Sequence, residues 1–233
     1  MHVPDGFLDA PTSLVTGAVA AGTIAVCLRG ARRELDEKTA PLAGLVAAFV
    51  FAVQMINFPV GAGTSGHLMG GALAAVLVGP YTGILCVAVV AIVQALLFAD
   101  GGLTALGSNI VLISIVPAIV GYAVIVVLLR LLPKRPASVL PAAMAGAFVS
   151  VPVTAMVFVG LFAVGGGGTD VPLAEVAAAM FGVHVLIGIG EAVITGLTVA
   201  SILAVRPDLI YAIRHYRQDL PLRDAPMTTV EQR

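Results

Sequence analysis

The residues with the most evident chemistry stand at the head of the chain: Met1 and His2, which open the stretch MHVPDGFLD. With the amino group of Met1 free, the pair is a potential metal chelate. The terminal amine, the His2 backbone nitrogen and the His2 Nδ1 close a five-membered and a six-membered ring around one ion. Nitrogen donors in a flat arrangement suit Ni(II) or Cu(II) among divalent ions. A bulky histidine at the second position is expected to leave the initiator methionine in place. Three donors leave a fourth position open, which the chain must fill from elsewhere. Taken alone, the two residues read better as an ordinary start followed by a chance histidine.

A partner stands at His67, where the Gly-rich stretch FPVGAGTSG turns into an apolar run. Irregular backbone at membrane depth is tolerated only where protein or a cavity surrounds it. Gly61, Gly63 and Gly66 permit tight turns and the close approach of another segment. The amino-terminal strand is a natural occupant, and His67 Nε2 then completes a four-nitrogen site. The alternative is a histidine that packs at the helix start and bonds a backbone carbonyl.

The elements that must hold these residues are set by composition. The chain has 233 residues, 59% of them hydrophobic and 11% charged, with a mean hydropathy of +1.06. Soluble domains carry about 25% charged residues, so this is an integral membrane protein. It has no basic patch of the kind nucleic acid requires. Cys27 and Cys86 fall in apolar runs and read as small core residues. Apolar runs compatible with spans of roughly 17–25 residues lie at about Thr12–Leu28, Pro41–Asn57, Tyr81–Phe98, Ile110–Leu132, Pro141–Val164 and Phe181–Val205. A shorter one lies at His67–Val78. Pro117 is expected to kink its span.

Counting all seven runs as crossings places the 12 Lys and Arg on one side, from Arg29 to Arg233, with Asp5, Asp9, Asp100, Asp170 and Glu175 near the other. The positive-inside rule then puts the amino terminus outside and the carboxy terminus in the cytoplasm. The expected fold is an all-α seven-transmembrane-helix bundle, with residues 1–205 as a single metal-capture domain and 206–233 as a polar cytoplasmic tail.

Other polar residues fall inside the spans. His184 and Glu191 are seven apart, two turns along one helix face. They either flank a metal pathway or bond to neighbouring helices, and packing is the preferred role because a buried Glu needs a partner. Asn57, Thr64 and Ser65 are placed to orient a ligand, since outer hydrogen bonds commonly fix metal-bound imidazoles; a turn role fits Thr64 and Ser65 equally. Gln54 and Gln94 raise the same question. Asp5 and Asp9 could draw cations to the mouth, or Asp9 could cap the first helix ahead of Ala10-Pro11. The methionines are scattered and form no thioether cluster.

MHVPDGFLD, INFPVGAGTSGHLMGGALAAVLVGP and HVLIGIGEAVIT together resemble the CbiM/NikM family, the substrate-capture subunits of nickel and cobalt transporters of the energy-coupling-factor type. The resemblance runs from about Met1 to Val205. It implies a seven-helix bundle in the cell membrane of a prokaryote, binding its ion from outside through the Met1 amine, the His2 backbone and side-chain nitrogens, and His67. It implies Ni(II) or Co(II) as cargo, with no permanent cofactor. It implies as partners a transmembrane coupling protein, a pair of cytoplasmic ATPases and, in some members, a small accessory membrane protein. The chain has no GxxxxGK[ST] loop, as expected of a subunit that leaves ATP to partners. Gly17-x-x-x-Ala21, Ala18-x-x-x-Gly22 and Gly44-x-x-x-Ala48 offer small-residue faces for helix contact. Two rival classes are a membrane enzyme, for which no catalytic set converges, and an ion-gradient-driven secondary metal transporter using His184 and Glu191 as proton carriers.

Overall fold

The computed structural model describes residues 2–35, 39–56, 58–60, 64–166 and 171–216. These hold seven apolar helices: α1 (Ala10–Glu34), α2 (Thr39–Gln54), α3 (Gly71–Val78), α4 (Pro80–Leu97), α5 (Leu106–Leu131), α6 (Val139–Gly165) and α7 (Leu173–Val205). A hairpin of β1 (Phe58–Val60) and β2 (Thr64–Gly66) joins α2 to α3, with Phe58 opposite Gly66. Five of the helices, α1 and α4 to α7, are long and apolar enough to cross a membrane, so the chain is a multi-pass membrane protein. α2 has 16 residues and α3 only 8.

The bundle is apolar outside and holds its polar groups within. Leu14, Val19 and Val26 of α1 and Leu186, Val193 and Leu197 of α7 face outward. Gln54, His67, Gln94, His184 and Glu191 are buried. That distribution suits a hydrocarbon solvent, in which polar groups must find partners inside the protein.

α3 is the centre of the molecule, with every residue from Gly71 to Val78 buried. Its neighbours come close because they are small. A side chain on Gly83 would meet the backbone of Ala74 and Ala75, and one on Gly71 would meet Ala118 and Pro117. At 1.5 Å per residue α3 is about 12 Å long, whereas the adjoining α4 is about 27 Å. Both begin or end at Gly79, so the start of α3 lies about 15 Å below the far end of α4. The segment His67–Gly70 is therefore sunk inside the bundle.

The ends of the bundle differ. The basic residues Arg29, Arg32, Arg33, Arg130, Lys134, Arg135, Arg206 and Arg214 fall at or beyond the ends of α1, α5 and α7 and around the start of α6. At this end the buried Glu34 carboxylate accepts from the Tyr81 and Thr82 amides at 3.2 and 2.7 Å, satisfying the first turn of α4. The tail turns back there as 3₁₀ turns at Pro207–Leu209 and Tyr211–Tyr216, burying Ile210, Ala212 and Ile213 against the core.

The kink expected at Pro117 takes the form of a π-helical stretch, Ile110–Ile115, just before it within α5. A proline lacks an N–H and its ring crowds the carbonyl four residues back; one wide turn relieves both. The last apolar run also starts earlier than its hydropathy indicates, at Leu173. Cys27 and Cys86 are buried free thiols, as read from their runs.

Candidate metal site

The site begins with the amino-terminal segment, which is threaded into the end of the bundle away from the basic residues. Val3 is fully buried. Its N–H donates to Asn109 Oδ1 at 2.7 Å, and its carbonyl accepts from Asn109 Nδ2 at 3.1 Å and from the Gly102 amide at 2.9 Å. Asp5 Oδ1 accepts from both the amide and the hydroxyl of Thr104, which hold its carboxyl below the usual carboxylate range. Phe7 packs on Phe158 and Phe162 with ring centroids 5.8 and 5.5 Å away. Leu8 bridges to Gly166, the Asp9 amide donates to Gly165 O at 2.7 Å, and the Asp9 carboxylate caps α1 through the Thr12 amide at 2.9 Å. The segment thus behaves as an added strand, its backbone groups paired by the α4–α5 loop and the end of α6.

This arrangement sets His2 against His67. The two ring centroids are 4.5 Å apart, with planes inclined by 34°. His67 is completely buried, and its Nδ1 lies 2.8 Å from the carbonyl of Leu68. A neutral ring that donates from Nδ1 to that carbonyl keeps the lone pair on Nε2, and Nε2 is buried with no hydrogen-bond partner among the described residues. The carbonyl contact expected if His67 only packs is therefore present, and it is the contact that leaves the other nitrogen ready to ligate. Burial pushes the His2 imidazole down to about 3, so it is neutral at physiological pH, the form a metal ligand requires.

His67 owes its position to two buried side chains. Glu191 on α7 accepts from the amides of Met69 at 2.8 Å and Gly70 at 2.6 Å. Gln54, at the end of α2, donates to the carbonyl of Met69 at 2.6 Å. These bonds satisfy the Met69 amide and carbonyl and the Gly70 amide where the chain enters α3, whose first ladder bond runs from the Ala74 amide to the Gly70 carbonyl at 2.9 Å. His184, two turns before Glu191, turns its Nδ1 to Met180 O at 2.7 Å and leaves Nε2 buried without a hydrogen bond among the described residues.

Among the expected site residues, the structure thus brings His2 and His67 together and gives Glu191 a bonding role beneath them. His184 bonds within its own helix. Met1 and Asn57 lie outside the described residues, as do Gly61 and Gly63; Thr64 and Ser65 lie in β2. Asp5, read as a lure for cations, is also a tether for the segment. Sequence reasoning passed over Asn109 and counted Asp100 only among the acids of one side. The signal for Asn109 was an amide opening an apolar span, and that for Asp100 was an acid beside Gly101-Gly102 in a loop.

Residues 2–209 match the profile of the CbiM family, described as the cobalt uptake substrate-specific transmembrane region. The chain belongs to that family. A relative in Haloquadratum walsbyi, which carries the provisional name of a metal transport protein, is 38% identical over 214 residues, 91% of this chain and 94% of that one. The fused nickel transport protein NikMN of Rhodobacter capsulatus is 40% identical over 124 residues, 53% of this chain and 36% of its own. The crystal structure of a truncated transition metal transporter superposes with a TM-score of 0.79 at 31% identity, covering 88% of this chain and 99% of that one. The CbiM profile begins at His2, so the inserted segment is part of the family's region rather than an appendage to it.

Proposed function

We propose that the chain is the substrate-binding subunit of an energy-coupling-factor importer, capturing Ni(II) or Co(II) from outside a prokaryotic cell. The supporting observation is the pairing of His2 with His67 inside the bundle, with the segment that carries His2 fixed by backbone bonds to the surrounding loops. His2 Nδ1, the His2 backbone nitrogen, the Met1 amine and His67 Nε2 are the proposed donors. A planar set of nitrogens favours Ni(II) by geometry and leaves Co(II) as a second cargo. Gln54 and Glu191 then serve the site by holding the backbone that carries His67.

In this reading all seven helical segments traverse or enter the membrane, the amino terminus and both histidines face outside, and the basic end faces the cytoplasm. A transmembrane coupling protein and an ATPase pair supply the energy for release. The outward faces of α1 and α2 at Gly22 and Gly44, where an added side chain would meet nothing, suit close contact with a coupling helix.

The test is one residue added before Met1. It moves the amine and abolishes the two-ring chelate without touching a helix. Purified protein loaded with equal Ni, Co, Cu and Zn should retain Ni or Co, and the extended protein should lose that retention. Unchanged retention, or retention of Zn alone, contradicts the site. Uptake that needs no ATPase partner and stops when the proton gradient collapses would favour a secondary transporter instead.

A further inference from the structure

We propose that Asp100 is a positioning residue for this site: its carboxylate takes the Nε2–H of His2 and commits the ring to the tautomer whose Nδ1 is the ligand. The inference rests on the capture reading above. A neutral imidazole has one N–H and one lone pair, and the partner of one nitrogen decides the state of the other. Chelation through Nδ1 therefore requires the hydrogen on Nε2.

His2 is 8% exposed, and its Nε2 has no hydrogen bond among the described residues. The group facing it is Asp100 Oδ2, at 3.5 Å. That distance is at the outer edge of hydrogen bonding, and a small side-chain rotation closes it. An ionised carboxylate can only accept. It attracts an N–H at Nε2 and repels a lone pair there. The opposite edge of the ring packs on Gly101, where a Cβ would lie 3.1 Å from Nδ1 and 2.8 Å from Asn109 Nδ2.

The backbone is bent to deliver this carboxylate. Ala99, just past the end of α4, has φ +52°, a left-handed conformation that is unfavourable for a non-glycine residue. The bend lets the amides of Phe98 and Asp100 both donate to Gln94 O at 3.1 Å, closing α4 and turning Asp100 toward His2. Strain of this kind persists where surrounding structure over-determines it. Asp100 and His2 both line a cleft of about 280 Å³, with Pro4, Asp5, Ala99, Gly101 and Gly102. Carboxylates that orient ligating histidines in this way typically contribute 10–100-fold to metal affinity.

The experiment uses the full chain in detergent, labelled with ¹⁵N-histidine. Long-range ¹H–¹⁵N correlation without metal reads the His2 tautomer, and Ni(II) titration reads affinity. Wild type should show the Nε2–H form. Asp100→Ala should lose that preference and bind Ni(II) about 10–100-fold more weakly. Asp100→Asn keeps the shape but can turn its NH₂ to donate to Nε2, so it too should lose the tautomer preference and bind Ni(II) more weakly than wild type. A wild-type tautomer or wild-type affinity in Asp100→Ala overturns the proposal, as does a wild-type tautomer preference in Asp100→Asn. Wild-type Ni(II) binding in His2→Ala would instead overturn the capture site, while the metal-free tautomer reports on Asp100 independently.

Discussion

Asn109→Ala tests whether the docked amino-terminal segment is held by one buried side chain. The substitution removes two hydrogen bonds, Val3 N–H to Oδ1 at 2.7 Å and Nδ2 to the Val3 carbonyl at 3.1 Å. The Val3 carbonyl keeps the Gly102 amide at 2.9 Å, so it is not orphaned. The Val3 N–H is orphaned, in a residue with no exposed surface. An unsatisfied buried donor costs about 1–3 kcal/mol and the second bond contributes about 1. Docking should weaken by about 2–4 kcal/mol, so opening of the segment should become at least about 30-fold more frequent. Hydrogen exchange at the Gly102 amide is the assay, because its own bond to Val3 survives and it reports only on undocking. Metal affinity should fall in step once the open form is populated. Gly102 protection equal to wild type would refute the argument and place the anchor elsewhere, at Phe7 or Asp9.

Gly101→Ala should weaken Ni(II) retention sharply and leave the helices intact: the added Cβ meets Asn109 and His2 at a residue with φ +95°, and unchanged retention with an unchanged circular dichroism spectrum would contradict the close packing. Glu191→Ala leaves the Met69 and Gly70 amides without their acceptor and should destabilise the protein by about 2–5 kcal/mol, read from its thermal melting. Glu191→Gln should recover only part of this, because its NH₂ would face an N–H; full recovery would contradict the two-acceptor geometry. The bonds from Thr104 lower the Asp5 carboxyl, so its contribution is complete above the ordinary carboxylate range and lost as pH falls through the lowered value. The Thr104 amide resonance should accordingly titrate with a midpoint below that of an aspartate in an unfolded peptide.

The helices were legible in the sequence because each span is an uninterrupted apolar run, and hydropathy reads such runs well. His2 and His67 were legible because their chemistry is local: a histidine beside the amine and a histidine at a glycine-rich turn. Asp9 as the cap of α1 followed from the same kind of local rule. The residues that hold the site were harder to find. Asn109 is 106 positions from Val3, and Glu191 is 121 from Gly70. No periodicity connects such pairs, since tertiary closure alone makes them neighbours. Asp100 looked like one of several outer acids, and its place beside His2 depends on the left-handed bend at Ala99. The tail read as polar, yet Ile210 and Ile213 carry its first turns back onto the core.

The wide turn at Ile110–Ile115 sets the azimuth of everything above it on α5. Each extra residue in a helix rotates the upstream half by about 100° relative to the downstream half. With a regular helix through this stretch, Gly71 could still nest against Ala118, but Ser108 would swing away from Thr16 and Asn109 away from Val3. Deleting a single residue there would give a smoother rod whose upper third points in the wrong compass direction.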